Sequence, residues 1–170
     1  MKKVFALALA AAMTLIVLGG CSAKPAAQEN KTPEELTQTY ADAITAHGGE
    51  MVEYNPVISE HSEENDMLLE TLGLTAEDMT AFGVSTSMMN VKAYGIAAVM
   101  PAEGREEAVK TALQGFIDQK RTEFETYLPD QYEVAQNAKL ETLADGTVLM
   151  VMCEDSATVF DAISSAIQEG

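Results

Sequence analysis

Lys139-Leu140-Glu141-Thr142-Leu143-Ala144-Asp145-Gly146-Thr147-Val148-Leu149-Met150-Val151-Met152-Cys153 decides how this chain folds. Asp145-Gly146 is a strong hairpin-turn signal, because a tight connection between strands needs residues that tolerate positive φ. It divides the stretch into two strands, Lys139 to Leu143 and Thr147 to Cys153. The first mixes charged and apolar residues. Val148 to Cys153 is apolar on both alternating faces, which suits a strand in the interior of a sheet. A last helix follows, started by Asp155 or Ser156 and carrying Val159, Phe160, Ile163 and Ile167 at helical spacing.

Upstream, the same order of elements occurs once before. Val84 to Val91 and Tyr94 to Met100 are apolar-rich runs that read as paired strands, with the connection near Lys92-Ala93. Glu103 to Leu128 reads as the strongest helix. Val109, Leu113, Phe116, Ile117, Phe124, Tyr127 and Leu128 lie largely on one stripe, interrupted by Lys120 and Arg121, and Pro129 ends it. A helical leader precedes both units. Thr32-Pro33-Glu34-Glu35 is a start signal with a capping box, Leu36, Tyr40 and Ile44 recur every four residues, and Gly48-Gly49 stops the helix. Between Met51 and Gly83 a short helix is expected around Asn65 to Leu72, and one more turn at Thr75 to Asp78. The expected fold is therefore α+β: a four-stranded, mostly antiparallel sheet built from two strand-strand-helix units and preceded by a helical leader. The simplest assembly packs both long helices on one face of that sheet.

Ser87-Met88-Met89 before Ile96-Ala97, Gln119, Phe124, then Tyr127-Leu128-Pro129-Asp130-Gln131-Tyr132, and Gly146-Thr147-Val148-Leu149 before the last helix together resemble DUF4358. That is a family of small bacterial lipoproteins, and the resemblance runs in element order from Met51 to Gly170. Ala93-Tyr94-Gly95 departs from it, since such sequences often carry an acid there. The resemblance implies a fold and a location, and carries no catalytic residues over to this chain.

The start of the chain points to the same location. Lys2 and Lys3 precede an uncharged apolar run from Val4 to Leu18, closed by Gly19, Gly20 and Cys21. This is similar to the lipobox of bacterial lipoproteins, in which cleavage after Gly20 leaves Cys21 as the first residue, acylated with diacylglycerol. Fifteen residues of helix reach only about 22 Å, short of the roughly 30 Å hydrocarbon core. Residues 1–20 are thus read as a lipoprotein signal peptide and Cys21 as the lipidation site. Residues 21–32 read as a lipidated tether, small and polar with Pro25. Residues 33–170 read as one α+β domain. The expected location is the extracytoplasmic face of the cell membrane.

Charge narrows the partners. The chain carries 10 basic and 27 acidic residues, a net −17; loss of Lys2 and Lys3 with the leader moves it to −19. Phosphate backbones repel such a surface, so nucleic acid is excluded. The expected partners are the membrane, through the lipid, and a protein of the cell envelope.

No residue is assigned a catalytic role. His47 with Glu50 lacks the second histidine of a zinc motif, and His61-Ser62-Glu63-Glu64 is not H-E-x-x-H. His61 among Glu60, Glu63, Glu64 and Asp66 reads as a solvated acidic loop rather than a metal site. No G-x-S-x-G occurs. Cys153, at the end of an apolar strand, behaves as a small hydrophobe. Met88 and Met89 as consecutive strand residues point to opposite faces, and Met150 and Met152 point away from Cys153, so the thioethers read as core filling rather than a copper(I) site. Tyr127 and Tyr132 around Pro129 are explained by a packed helix terminus. No metal or cofactor is expected. These readings favour a non-enzymatic binding or accessory module. The alternatives are a small solute- or cation-binding lipoprotein of a transport system and a cell-envelope enzyme.

Overall fold

The computed structural model describes residues 31–170. Gly20, Cys21 and the apolar leader lie outside the described residues, as does the tether up to Asn30. Four strands form one antiparallel sheet: β1 (Met79–Thr86), β2 (Gly95–Pro101), β3 (Lys139–Thr142) and β4 (Val148–Met152), in the spatial order β1-β2-β4-β3. Helices α1 (Pro33–His47), α2 (Met51–Tyr54) and α3 (Glu63–Thr71) precede it. Helices α4 (Glu106–Phe124) and α5 (Pro129–Gln136) separate the two hairpins, and α6 (Ser156–Glu169) closes the chain. The α+β class, the two strand-strand-helix units and the helical leader are as the sequence indicates.

Local chemistry sets the ends of these elements. Thr32 and Glu35 form the reciprocal capping box of α1: Glu35 N donates to Thr32 Oγ1 at 3.3 Å and Thr32 N donates to Glu35 Oε2 at 2.8 Å. The backbone bond from Thr32 holds the Glu35 carboxyl below its ordinary range. Gly146 takes φ +94° in the β3–β4 turn, the conformation that the Asp-Gly signal supplies. On the outer edge of β1, Ile58 exchanges two backbone bonds with Val84, at 2.8 and 2.9 Å, which covers that edge against further pairing.

All of β4 is buried on both faces, and this settles the layering. Val148, Met150 and Met152 pack with Phe82, Val84, Ala97, Val99 and the α4 residues Val109, Leu113, Phe116, Ile117 and Phe124. Leu149 and Val151 pack on the opposite face with Ala81, Ile96, Ala98, α1 residues Tyr40 and Ile44, and α6 residues Phe160, Ile163 and Ile167. The two long helices therefore lie on opposite faces, not on one. The physical reason is burial on both sides: each fully buried aliphatic side chain contributes about 1.5–3 kcal/mol, and two helices on one face would leave the Leu149–Val151 layer in water. The leader helix α1 shares the α6 face and crosses β1 closely. A Cβ on Gly83 would sit 2.9 Å from Tyr40 Cβ, so that crossing requires glycine.

Three further boundaries differ from the sequence reading. Strand β1 begins at Met79 and ends at Thr86, so Met88, Met89 and Val91 lie in the β1–β2 connection and are exposed rather than paired. Helix α4 spans Glu106–Phe124, shorter at both ends than Glu103 to Leu128. Pro129 does not merely end a helix but starts one: Leu128 leaves the helical region, with φ −134° and ψ 75°, as residues before proline do, and Pro129 takes the first position of α5.

Candidate functional site

Of the six large apolar side chains exposed among the described residues, four lie at the end of the sheet where β1 finishes and β2 begins; the others are Tyr54 on α2 and Met67 on α3. Met88, Met89, Val91 and Tyr127 are 70%, 53%, 52% and 54% exposed. The first three belong to the β1–β2 loop. Tyr127 comes from the junction between α4 and α5.

This loop is held in place by side chains from both ends. Ser87 Oγ accepts from Met89 N at 3.2 Å, a local turn that bends the chain away from strand pairing. Gln131 on α5 is buried, and its Oε1 accepts from Ala93 N at 3.0 Å. Tyr127 Oη donates to Asn90 O at 3.0 Å. Gln131 Nε2 in turn donates to Asp130 Oδ2 at 3.0 Å, which holds the Asp130 carboxyl below its ordinary range. Lys92 Nζ lies 3.7 Å from Glu154 at the end of β4. The apolar tip is thus displayed on a clamped loop with Asp130 and Glu154 beside its lysine.

Beneath the loop the polar groups are satisfied. Ser85 Oγ donates its one proton to Asn55 O at 2.6 Å, so the Tyr94 hydroxyl, 2.9 Å away, must donate to Ser85. Burial pushes the Tyr94 hydroxyl up to about 12. Gly95 lets Phe116 approach: a Cβ there would lie 2.9 Å from Phe116 Cε1. Among the described residues no buried side-chain nitrogen or oxygen lacks a partner.

At the opposite end of the sheet lies an open groove of about 910 Å³, lined by Lys31, Glu35, Met100, Asp145, Ile167 and Glu169 among others. Two of its carboxylates, Asp145 and Glu35, are engaged. Asp145 accepts from Thr147 N at 3.0 Å and from Thr147 Oγ1 at 2.8 Å, and Thr147 Oγ1 accepts from the buried Tyr40 hydroxyl at 2.7 Å. Burial holds that hydroxyl well above the ordinary phenol range. Glu35 belongs to the α1 cap.

The sequence candidates are scattered. His61 Nδ1 lies 2.7 Å from Asp66 Oδ1 and its ring sits 4.9 Å from Phe82, while His47 ends α1. Among the described residues no three His, Cys, Asp or Glu side chains converge as a metal site. Cys153 is buried, which pushes its thiol up, and Ser156 Oγ donates to its carbonyl at 2.8 Å. Tyr132 packs partly buried against the α4 core, whereas Tyr127 and Gln131 reach back to the loop. Met88 and Met89, read as opposite faces of a strand, share one exposed tip. Sequence reasoning missed Gln131, whose partner is 38 positions away; its only local signal was a place in the Tyr127–Tyr132 motif.

A family model described as a domain of unknown function, DUF4358, matches residues 56–153. The matched span contains the clamped loop, Tyr127 and Gln131, and omits α1 and α6. No curated protein and no solved structure matches the chain.

Proposed function

The chain belongs to the DUF4358 family, and from that premise we propose that it is a lipid-anchored extracytoplasmic module that binds a protein and catalyses no reaction. Leu18-Gly19-Gly20-Cys21 supports the anchor. Two acyl chains, each methylene worth about 0.8 kcal/mol when buried, hold a protein on a bilayer stably without a spanning helix. One observation carries the binding role: Met88, Met89 and Val91 sit exposed together on a loop clamped by Gln131 and by Tyr127, whose ring is exposed beside them. Fixing a loop in advance lowers the ordering cost of association. The groove at the other end is the place for a small solute, but its engaged carboxylates lend that alternative less support.

The anchor is tested by metabolic labelling with a fatty-acid probe. Wild-type chain takes up label and Cys21→Ala takes up none, because the thiol is the acyl acceptor; it also keeps its leader. Equal label in both overturns the anchored reading.

A further inference from the structure

We infer that Met88, Met89, Val91 and Tyr127 form the docking surface for a protein partner that presents an apolar anchor ringed by Lys and Arg. This rests on the anchored-module reading above. Four side chains of this exposure present on the order of 400 Å², the size of the largest apolar patch on an ordinary monomer, which is often functional. Two are methionines, whose flexible thioethers adapt to an incoming side chain.

Charge selects the occupant. Lys92, the only base on the loop, pairs with Glu154 at 3.7 Å, and Lys120, beside the Phe124 ring that Tyr127 packs against, pairs with Glu123 at 2.8 Å. The rim is therefore neutral to acidic on a chain of net charge −17. A second copy would bring like rims together, which costs affinity. An anionic bilayer would be repelled, and membrane-inserting loops place bases beside their apolar residues. A basic rim around an apolar anchor satisfies both parts of the surface.

Position agrees. The described chain starts at Lys31, beside Met100, Asp145 and Gly170, where β2 ends and the β3–β4 turn lies. The apolar loop precedes Gly95, where β2 begins. Seven residues of strand place these ends about 23 Å apart. A tether to Cys21 therefore attaches at the pole away from the patch, so the anchor itself does not cover it.

The test places a diazirine amino acid at Met88 of the full-length chain in native membranes, with Met67, exposed on α3, as the control position. Irradiation should give a protein adduct at least about fivefold stronger from position 88 than from 67, the ratio that about 1 kcal/mol of preference supplies. The adduct should fade near 1 M salt, where screening acts over about 3 Å. Its partner peptide should carry an apolar residue flanked by Lys or Arg. With the probe moved to Val91, Met88→Ser with Met89→Ser should weaken the adduct by a similar factor. A homodimer, a lipid adduct, equal yield from Met67, a partner peptide without bases, or no adduct overturns the inference. Fatty-acid label scored on the same membranes separates the two claims: label without adduct removes the docking surface, and adduct without label removes the anchor.

Discussion

Replacing Gln131 by Met should release the β1–β2 loop while leaving the sheet intact. Gln131 is 5% exposed and Ala93, whose N–H it accepts, is 3% exposed. Methionine keeps the volume and apolar stem of glutamine, so packing changes little. What disappears is the acceptor. A buried backbone N–H left without a partner costs about 1–3 kcal/mol, more than the net value of an ordinary hydrogen bond, because its desolvation is no longer offset. Tyr127→Phe removes a bond too, but Asn90 O and the Tyr127 ring are exposed and water replaces the hydroxyl. That change should stay within about 0.5 kcal/mol. Denaturant titration ranks the two variants, and amide hydrogen exchange locates the effect. In Gln131→Met the amides of 87–94 should exchange faster relative to those of β4 than in the parent. A Gln131→Met protein within about 0.5 kcal/mol of the parent, with unchanged loop exchange, would refute the clamp.

Other expectations follow from packing and charge. Phe116→Ala should cost about 3–5 kcal/mol as a buried aromatic lost from the α4 face, and Gly95→Ala about 1–3 kcal/mol, because the new Cβ would meet Phe116 Cε1 at 2.9 Å. The double variant should cost less than the sum, since removing the ring opens the space the methyl needs; additive costs in denaturant titration would disprove that contact. Asp78 contributes to the acid limb of stability. Burial pushes its carboxyl up, but bonds from the Thr75 side chain and backbone and from Arg105 outweigh this and hold it below its ordinary value of 3.8. The unfolded state then binds the proton first, so this contribution is present above pH about 4 and disappears as pH falls through the lower folded value. Asp78→Asn should flatten the stability profile below pH about 4 relative to the parent, and parallel acid limbs would show that the pair carries none of it.

Several elements were legible in the chain itself. Thr32 and Glu35 announce the start of α1, Asp145-Gly146 the β3–β4 turn, and the two-sided apolar run Val148 to Met152 an interior strand. Each signal is local: a cap, a turn or an alternation is completed by residues within a few positions. The motif at the start of the chain lies outside the described residues, and the proposal for Cys21 rests on it alone. Tertiary structure alone decided which helix covers which face of β4. A strand apolar on both sides accepts a helix equally on either, and periodicity names the buried stripe of α4 without naming its partner. It also decided that Ser87 to Val91, apolar enough to be a strand, is a displayed loop. That depends on Gln131 and Tyr127 reaching it from 38 and 37 residues away, and a bond between distant positions leaves no pattern in either stretch alone.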